Sequence, residues 1–285
     1  AYTIVFQFLG FKKLVKKIDI TSFPYILNVL LEEELVSLDQ VVLSNKSEDP
    51  AYRIIRETIA QRKENLAKIS EYTADFYSRG LWKLKAVPLK IMGQEVGDLD
   101  GLLDTTRSGI VYLSETISKI SYRQPNDFRE RIIASKVSGN DNGFSFNSAQ
   151  EATFSFYENT IDLNAAIVSP IGVSALNYYT YTLEGVFYEG TKLINKIKVS
   201  PKRPKDRVWS GYVYIVEDDW QLYGIEIATT GEAIQTPLIS DLVFKQNFKF
   251  DPNYNFWVKI SQTIDFGFGF LGLNGEGKFI ANYSN

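Results

Sequence analysis

The sequence of 285 residues lacks two residue types that carry much of protein chemistry, histidine and cysteine. Without cysteine the chain can form no disulfide bond, no thiolate nucleophile and no zinc ribbon. Without histidine it lacks the commonest general base, which excludes Ser-His-Asp triads and Cys-His dyads. Carboxylates, lysine and tyrosine are the side chains that remain for catalysis.

The chain also has little net charge and no long apolar run. Its 31 basic and 34 acidic residues give a formal charge of -3, and so weak a field predicts no nucleic-acid partner. No stretch of about 18 apolar residues occurs that could span a bilayer as a helix. The sequence opens at Ala1 without a signal-peptide pattern, which predicts that any such peptide has been removed or lies upstream.

What the sequence has is a recurring β-type alternation of apolar and polar residues. Hydrophobic residues make up 45% of the chain and aromatic residues 14%, as is typical of a folded globular protein. Segments with this alternation recur at intervals of about ten residues, with glycine and asparagine between them. Strands are predicted at 2–9, 12–20, 25–31, 35–43, 72–83, 108–120, 153–163, 178–187, 192–199, 208–216, 222–229, 242–250, 256–266 and 278–283, and residues 129–136 are predicted as helix or strand.

One amphipathic helix is predicted at residues 50–69. Asp49 is a good N-cap and Pro50 suits the first helical position. The apolar residues of this segment fall near one stripe, as in a helix that packs on a sheet; they are Tyr52, Ile55, Ile59, Leu66 and Ile69. The predicted fold class is therefore α+β, predominantly antiparallel β, with a curved half-barrel sheet packed on this helix.

The polar residues 44–49 read as a linker, which divides the chain into two predicted domains. Residues 1–45 are predicted to form a small, truncated β-domain, because the sequence opens inside a strand pattern that begins at Tyr2. Residues 46–285 are predicted to form the curved antiparallel sheet domain.

Three passages together resemble a known family. They are DPAYRIIR at residues 49–56, VSP at 168–170, and IKVSPKRP at 197–204, which runs into SGY at 210–212. They resemble a family of unknown function in Gram-negative outer-membrane proteins that carry an N-terminal carboxypeptidase-regulatory-like domain and, further along, a membrane β-barrel.

The resemblance implies a periplasmic location at the outer membrane, with the barrel continuation of the same protein as a partner. Residues 1–45 look like the second half of the regulatory-like domain, with Gly10-Phe11-Lys12 where the family has a Gly-Tyr-Lys turn. That domain is similar to a transthyretin-type sandwich and implies no peptidase activity, and the family offers no established catalytic residues. The strand rhythm of residues 196–227 is also similar, more weakly, to the periplasmic lipoprotein carriers.

The best catalytic candidates are the acidic residues Glu217, Asp218 and Asp219 beside Trp220. A glycoside hydrolase needs two carboxylates across a cleft, so a carboxylate-dependent glycan hydrolase is the alternative function. Adjacent carboxylates between two predicted strands fit a hairpin turn better. Asp98, Asp100, Gly101 and Asp104 lack the closing glutamate of a calcium loop and are predicted to form an ordinary loop, so no metal or cofactor is expected.

The segment from Phe266 to Leu273 places aromatic rings on one face of a strand and glycines on the other. Such a face suits sheet packing, acyl-chain contact or approach to a membrane. The residues predicted to contact a ligand or partner are Phe266, Phe268, Phe270, Tyr179, Tyr181 and Trp220.

The predicted function is a non-catalytic periplasmic module, not an enzyme, that binds a protein partner or an acylated, lipid-type ligand such as a lipoprotein. A lipid site predicts a dry apolar cavity lined by aromatic and leucine side chains. A docking module predicts a filled interior instead.

Overall fold

The computed structural model describes residues 1–6, 9–32, 48–124, 127–139 and 148–284. The helices are α1 at Pro50–Lys68, the single-turn α2 at Ala175–Tyr178 and a 3-10 helix at Ala149–Ala152. The strands are β1 Tyr2–Phe6, β2 Leu14–Ile18, β3 Glu71–Lys85, β4 Lys90–Ile91, β5 Gln94–Glu95, β6 Gly109–Arg123, β7 Asp127–Gly139, β8 Thr160–Leu163, β9 Ala165–Val168, β10 Tyr179–Glu189, β11 Lys192–Pro201, β12 Ser210–Val216, β13 Leu222–Thr230, β14 Ile239–Asp251, β15 Phe256–Phe270 and β16 Leu273–Ser284.

Ten strands form one curved antiparallel sheet, as the predicted fold class required. Their order is β10-β11-β12-β13-β14-β15-β16-β3-β6-β7. β16 pairs with β3 along its length, from Asn274 opposite Lys85 to Ser284 opposite Asp75. The sheet therefore has two edges, β10 and β7, while three further strand pairs, β1-β2, β4-β5 and β8-β9, stand outside it.

Helix α1 begins where the sequence predicts. The Asp49 carboxylate accepts a hydrogen bond from Ala51 N at 2.9 Å, and Pro50 opens the helix. We call the face of the sheet on which this helix packs the inner face. The Tyr52 ring of the helix contacts the Tyr181 ring of β10, with 5.6 Å between ring centroids.

The buried stripe of α1 is only partly the predicted one. Ile55 is fully buried, but Tyr52, Ile59, Leu66 and Ile69 are half-buried. The fully buried positions include three polar residues; the set is Ala51, Ile54, Ile55, Thr58, Arg62 and Asn65. The polar ones enter the core because main-chain carbonyls accept their hydrogen bonds: Arg62 donates to Tyr157 O at 2.6 Å.

Residues 153–157 fill the space between α1 and the sheet. Arg62 of the helix holds Tyr157 O, while Gln246 of the sheet donates to Phe154 O at 3.1 Å. Phe156 packs against Trp209 with 5.7 Å between ring centroids. The strand predicted at 153–163 is thus wrong except for β8, because the alternating aromatic side chains insert into the core from an irregular segment.

The predicted strand at 25–31 is also wrong. Residues 25–32 form no strand, and Ile26 and Leu30 are exposed, so their apolar side chains have no core to face. The strand predicted at 35–43 lies outside the described residues. At residues 129–136, where helix and strand were both open, the structure has β7.

Candidate functional site

An aromatic cluster at one end of the inner face contains two of the predicted contact residues. Trp82 of β3 lies 5.0 Å from Phe266 and 5.2 Å from Phe268 of β15, measured between ring centroids. β16 runs between them and carries glycine there: a Cβ on Gly277 would lie 2.0 Å from Phe266 Cζ, and one on Gly275 2.2 Å from Phe268 Cζ. The rings therefore lie directly over the glycine backbone of β16, which side chains would prevent.

Beyond this cluster the loops at the same end of the sheet expose large apolar side chains. Phe270 and Leu271 form the β15–β16 turn, Gly269 N donates to Leu238 O at 2.9 Å, and a Cβ on Gly272 would lie 3.8 Å from Pro88. We call the exposed set the end patch, whose members are between 51% and 83% exposed: Leu89, Met92, Leu238, Phe270 and Leu271. Exposed apolar groups in such number mark interaction surfaces.

Tyr179 and Tyr181, also predicted contacts, lie inside the core. Their hydroxyls donate to the carbonyl oxygens of Val168 and Pro170, and Tyr179 Oη also accepts from Trp209 N at 3.1 Å. Burial raises the pKa of both phenols far above the ordinary value. These side chains tie the 168–170 segment to β10.

Trp220 and the acidic residues form the β12–β13 hairpin turn, as the sequence predicted. Asp218 and Trp220 have φ of 65° and 53°, the left-handed conformation of tight turns. The Arg53 guanidinium lies 5.3 Å from the Trp220 ring and 2.6 Å from Glu217 Oε1. Two of the three carboxylates in the turn therefore have a cation beside them, since Lys192 Nζ lies 2.7 Å from Asp219.

The loop that resembles a calcium loop is an ordinary turn, as predicted. Asp104 Oδ1 accepts from Thr106 Oγ1 at 2.6 Å, Thr106 N at 2.8 Å and Ser108 N at 3.0 Å. The hydrogen bond from the Thr106 side chain is the main cause of a lowered Asp104 pKa. In the described ranges no group of three or more acidic residues is placed to hold a metal ion.

The centre of the inner face holds a lysine that sequence reasoning missed. Lys259 Nζ donates to Phe154 O at 3.1 Å and Gln262 Oε1 at 3.5 Å, and it lies 5.1 Å from the Tyr283 ring. In the part of the chain that the structure describes, no carboxylate pairs with it. Burial lowers the pKa of this amine to about 7.

A β-bulge explains why the alternation of the sequence did not predict that Lys259 faces inward. Simple alternation from Ile264 and Gln262 would turn Lys259 outward. The register of β14 and β15 shifts between Asn247 and Phe248, however, so that Phe248 faces Lys259. The extra residue returns Lys259 to the inner face.

The opposite, outer face carries a shallow charged cavity at the β7 edge. The cavity is about 480 Å³ in volume and is lined by β3, β6 and β7. Three cations contribute to its wall, Lys119, Arg129 and Arg131, and Asp75 of β3 pairs with Lys119 at 3.1 Å. No sequence signal pointed to the cavity, because Lys119 comes from β6 and the two arginines come from β7.

Comparison with known proteins gives one family and several distant structural likenesses. Residues 54–285 match the model of a family of unknown function, DUF5686. No curated protein matches the chain. No helix among the described residues has the length and apolar character to cross a membrane.

Three solved structures illustrate the structural likenesses. A DUF1329-family protein from Desulfovibrio piger is 12% identical, with a TM-score of 0.27 over 84% of this chain and 92% of that one. A LolA-superfamily protein from Nitrosomonas europaea is 8% identical, with a TM-score of 0.25 over 82% and 91%. A putative outer-membrane lipoprotein-sorting protein domain from Vibrio parahaemolyticus is 10% identical, with a TM-score of 0.26 over 81% and 92%.

Proposed function

Since the chain belongs to the family of unknown function DUF5686, we propose that it is a non-catalytic module that docks a protein partner through the end patch. The observation that carries the proposal is the exposure of Leu89, Met92, Leu238, Phe270 and Leu271 at one end of the sheet. A monomeric surface rarely gathers side chains of this size unless something covers them.

The end patch has a rigid support. Phe266 and Phe268 pack on Trp82 and cover the glycines of β16, so the turn that presents Phe270 starts from a fixed base. Aromatic side chains on a fixed base lose little conformational freedom on binding, which is why they dominate binding energy at interfaces. We assign Phe270 to direct contact, and Phe266 and Phe268 to its support.

A protein partner fits better than an acyl chain because the interior is occupied. Phe154, Phe156 and Tyr157 take up the space between α1 and the sheet, where an acyl chain would have to lie. Tyr157 is held there at two points: Leu222 N donates to its hydroxyl at 2.8 Å, and Arg62 donates to its carbonyl. A filled interior is what a docking module requires.

The contacts of the acidic side chains disfavour catalysis by the β12–β13 turn. Glu217 is bound by Arg53 and by Asn195 Nδ2 at 2.7 Å, and Asp219 is bound by Lys192. A glycan hydrolase needs one carboxyl group that stays protonated and one free to reach the sugar or a water. Glu217 and Asp219 are each held in an ion pair, so neither side chain meets the second requirement.

We further propose that the module works in the periplasm, as part of an outer-membrane protein with a barrel as its continuation. The support is the resemblance of residues 49–56, 168–170 and 197–204 to proteins of that plan. On the same ground, residues 1–45 are proposed to be the partial carboxypeptidase-regulatory-like sandwich. Leu9, beyond β1, packs on Gly224 of β13, where a Cβ would lie 2.5 Å from it.

The test is site-specific photo-crosslinking in a Gram-negative host. A photoreactive benzoylphenylalanine replaces Phe270, and the crosslinked products are identified by mass spectrometry. The matched control replaces Tyr254, an aromatic residue that is also exposed (77%, against 59% for Phe270) and lies in the β14–β15 turn at the opposite end of the sheet. We expect a defined protein product at position 270 that is absent at position 254, and that Leu271→Asp abolishes.

Two results would contradict the proposal. Native mass spectrometry of the purified protein could show a stoichiometric bound lipid, which would return the function to lipid carriage. Identical crosslinked products at positions 270 and 254 would show that the end patch selects no partner.

A further inference from the structure

In the part of the chain that the structure describes, β7 is an edge strand of the ten-stranded sheet. Every residue from Arg131 to Gly139 is exposed, including Ile132 and Ile133 at 58% and 54%. Within the described ranges β7 pairs only with β6, so one side of its backbone has no strand beside it. A row of unpaired N–H and C=O groups is a template for another strand.

β7 lacks two of the features with which proteins block a sheet edge. It is 13 residues long and contains no proline, whereas short length and proline are among the usual protections. It does have charged residues and one register shift, opposite Ile117 and Ser118 of β6. Such a strand can still pair with another strand, and its charges determine which kind of strand it binds.

The outward-facing charge of β7 is positive. Arg131 and Lys136 have no ion-pair partner among the described residues, and Arg129 pairs only with its neighbour Asp127 at 3.0 Å. The second acidic residue of the strand, Glu130, is turned inward, where its carboxylate accepts from Ser118, Ser148 and Ala149 N. The 480 Å³ cavity places Lys119 beside Arg129 and Arg131, and Asp75 of β3, which also lines it, pairs with Lys119 at 3.1 Å. Arg131 is therefore the cation of this basic recess that has no ion-pair partner among the described residues.

We infer that β7 binds an extended acidic segment of a partner protein as an added strand, independently of the end patch. Main-chain hydrogen bonds to β7 supply affinity, and alternate side chains supply specificity, as in other cases of strand addition. Apolar side chains of the segment pack on Ile132 and Ile133. Its carboxylates meet Arg131 and Arg129 at the recess, where positive potential favours them.

A second copy of this chain fits the β7 edge less well than an acidic segment does. Antiparallel pairing of two β7 strands would bring Arg131 and Lys136 of both copies to one seam, and neither residue has an ion-pair partner among the described residues. Like charges brought together across an interface oppose association. An acidic strand removes this repulsion.

The experiment uses the whole chain and two synthetic peptides of about ten residues, a length that matches a typical strand. One peptide alternates valine or threonine with glutamate, and the other has lysine in place of glutamate. Binding is measured by fluorescence anisotropy, and amide hydrogen exchange locates the protected residues. The variants are Arg131→Glu and Ile133→Lys, with Lys249→Glu and Val173→Lys as controls at exposed positions elsewhere.

We expect the glutamate peptide to bind, to weaken with added salt, and to slow exchange of the amides of residues 127–139. Arg131→Glu should weaken binding at least about tenfold, Ile133→Lys should abolish it, and both controls should bind as the wild type does. Several results overturn the inference: no binding of the glutamate peptide, equal binding of the lysine peptide, protection that maps outside β7, or a dimer in sedimentation that Ile133→Lys abolishes. None of these bears on crosslinking at position 270, so the two proposals fail separately.

Discussion

The two edge strands of the ten-stranded sheet, β10 and β7, differ in the contacts that other parts of the chain make with them. At β10 the Asp49 carboxylate accepts from Leu183 N at 3.1 Å as well as from Ala51 N, so one side chain caps both the helix and the sheet edge. At β7 the described chain supplies no such contact, and the strand stays exposed. Within the described residues a side chain thus caps the β10 edge, while no strand pairs with the outer side of β7, where we propose that a partner binds.

The buried side chains also differ between the two halves of the sheet, becoming more polar from β10 toward β7. In the covered half, β10 to β15, the inner face is mainly apolar, with fully buried Tyr179, Ile194, Ile197, Val213, Ile225 and Phe244. In the open half, β3, β6 and β7, buried hydroxyl groups replace many of them, namely Ser78, Ser114, Thr116 and Ser118. Since apolar burial is the main stabilising term, the covered half should hold most of the folding free energy.

Phe244→Ala should have the largest effect, because it deletes a fully buried ring from the covered half. Phe244 packs edge-on against Phe154 and Trp209, both at 5.4 Å between centroids. We expect a loss of about 3–5 kcal/mol in the free energy of unfolding, measured in urea. Ile117→Ala, at a half-exposed position of the open half, should cost less than about 0.5 kcal/mol. Equal losses at both positions would show that the two halves do not differ.

Lys259→Met should change how stability depends on pH, because Lys259 lies in β15 where the apolar interior meets the polar one. Its folded pKa, about 7, is below the ordinary value of 10.5, so above pH 7 the unfolded state binds the proton and the folded state does not. Stability of the wild type should therefore rise between pH 7 and 9, by up to about 1.4 kcal/mol per pH unit. Below pH 7 both states are protonated and the slope ends.

The variant should lack that rise, which urea titrations at several pH values can measure. The rise should end near pH 9. Above that pH, tyrosines of the unfolded chain begin to lose their protons, whereas burial raises the pKa of the neighbouring Tyr283 in the folded chain. Stability therefore falls as the pH rises further. The same slope in wild type and variant would mean that another group is responsible. Lys249→Met, at an exposed position of β14, is the matched control.

Asp49→Ala tests the closed edge. It removes the acceptor for two main-chain donors, Ala51 N and Leu183 N, and we expect it to cost about 1–2 kcal/mol. Hydrogen exchange at the Leu183 amide should speed up, while Asp49→Asn, which keeps a carbonyl oxygen, should lose less. Unchanged exchange at Leu183 would show that Asp49 does not protect the β10 edge.

Ile133→Lys should have the smallest effect on folding and tests the open edge. Because Ile133 is exposed, we expect a change within about 0.5 kcal/mol in the free energy of unfolding. Light scattering on heating should show less aggregation, since lysine at a sheet edge discourages pairing with other chains. A loss of stability comparable with that of Asp49→Ala would mean that β7 is covered in solution.

Much of the fold was predictable because its signals are local. Asp49-Pro50 predicts the start of α1, and the alternation at 266–270 predicts a strand with rings on one face and glycines on the other, as β15 shows. The family was predictable from short passages, and the match over 54–285 confirms it. The regulatory-like domain and the barrel stay predictions.

The features that the sequence did not predict depend on distant contacts. Arg62 and Asn65 are polar, yet they enter the core because the carbonyls of Tyr157 and Trp220 lie within reach. Lys259 reaches the inner face only through a bulge. The end patch and the basic recess gather residues from separate loops or strands, so no window of sequence contains either.

The order of the strands also determines when the sheet can be completed. β16 pairs with its hairpin neighbour β15 and with β3, which lies far earlier in the chain. During synthesis the covered and open halves must therefore wait as two separate sheets, with β15 and β3 as temporary edges. Joining them requires a contact of high sequence separation, a slow step during which other chains can pair with those edges. Until residues 273–284 have been made, β15 and β3 are therefore the edges at which pairing with other chains would begin.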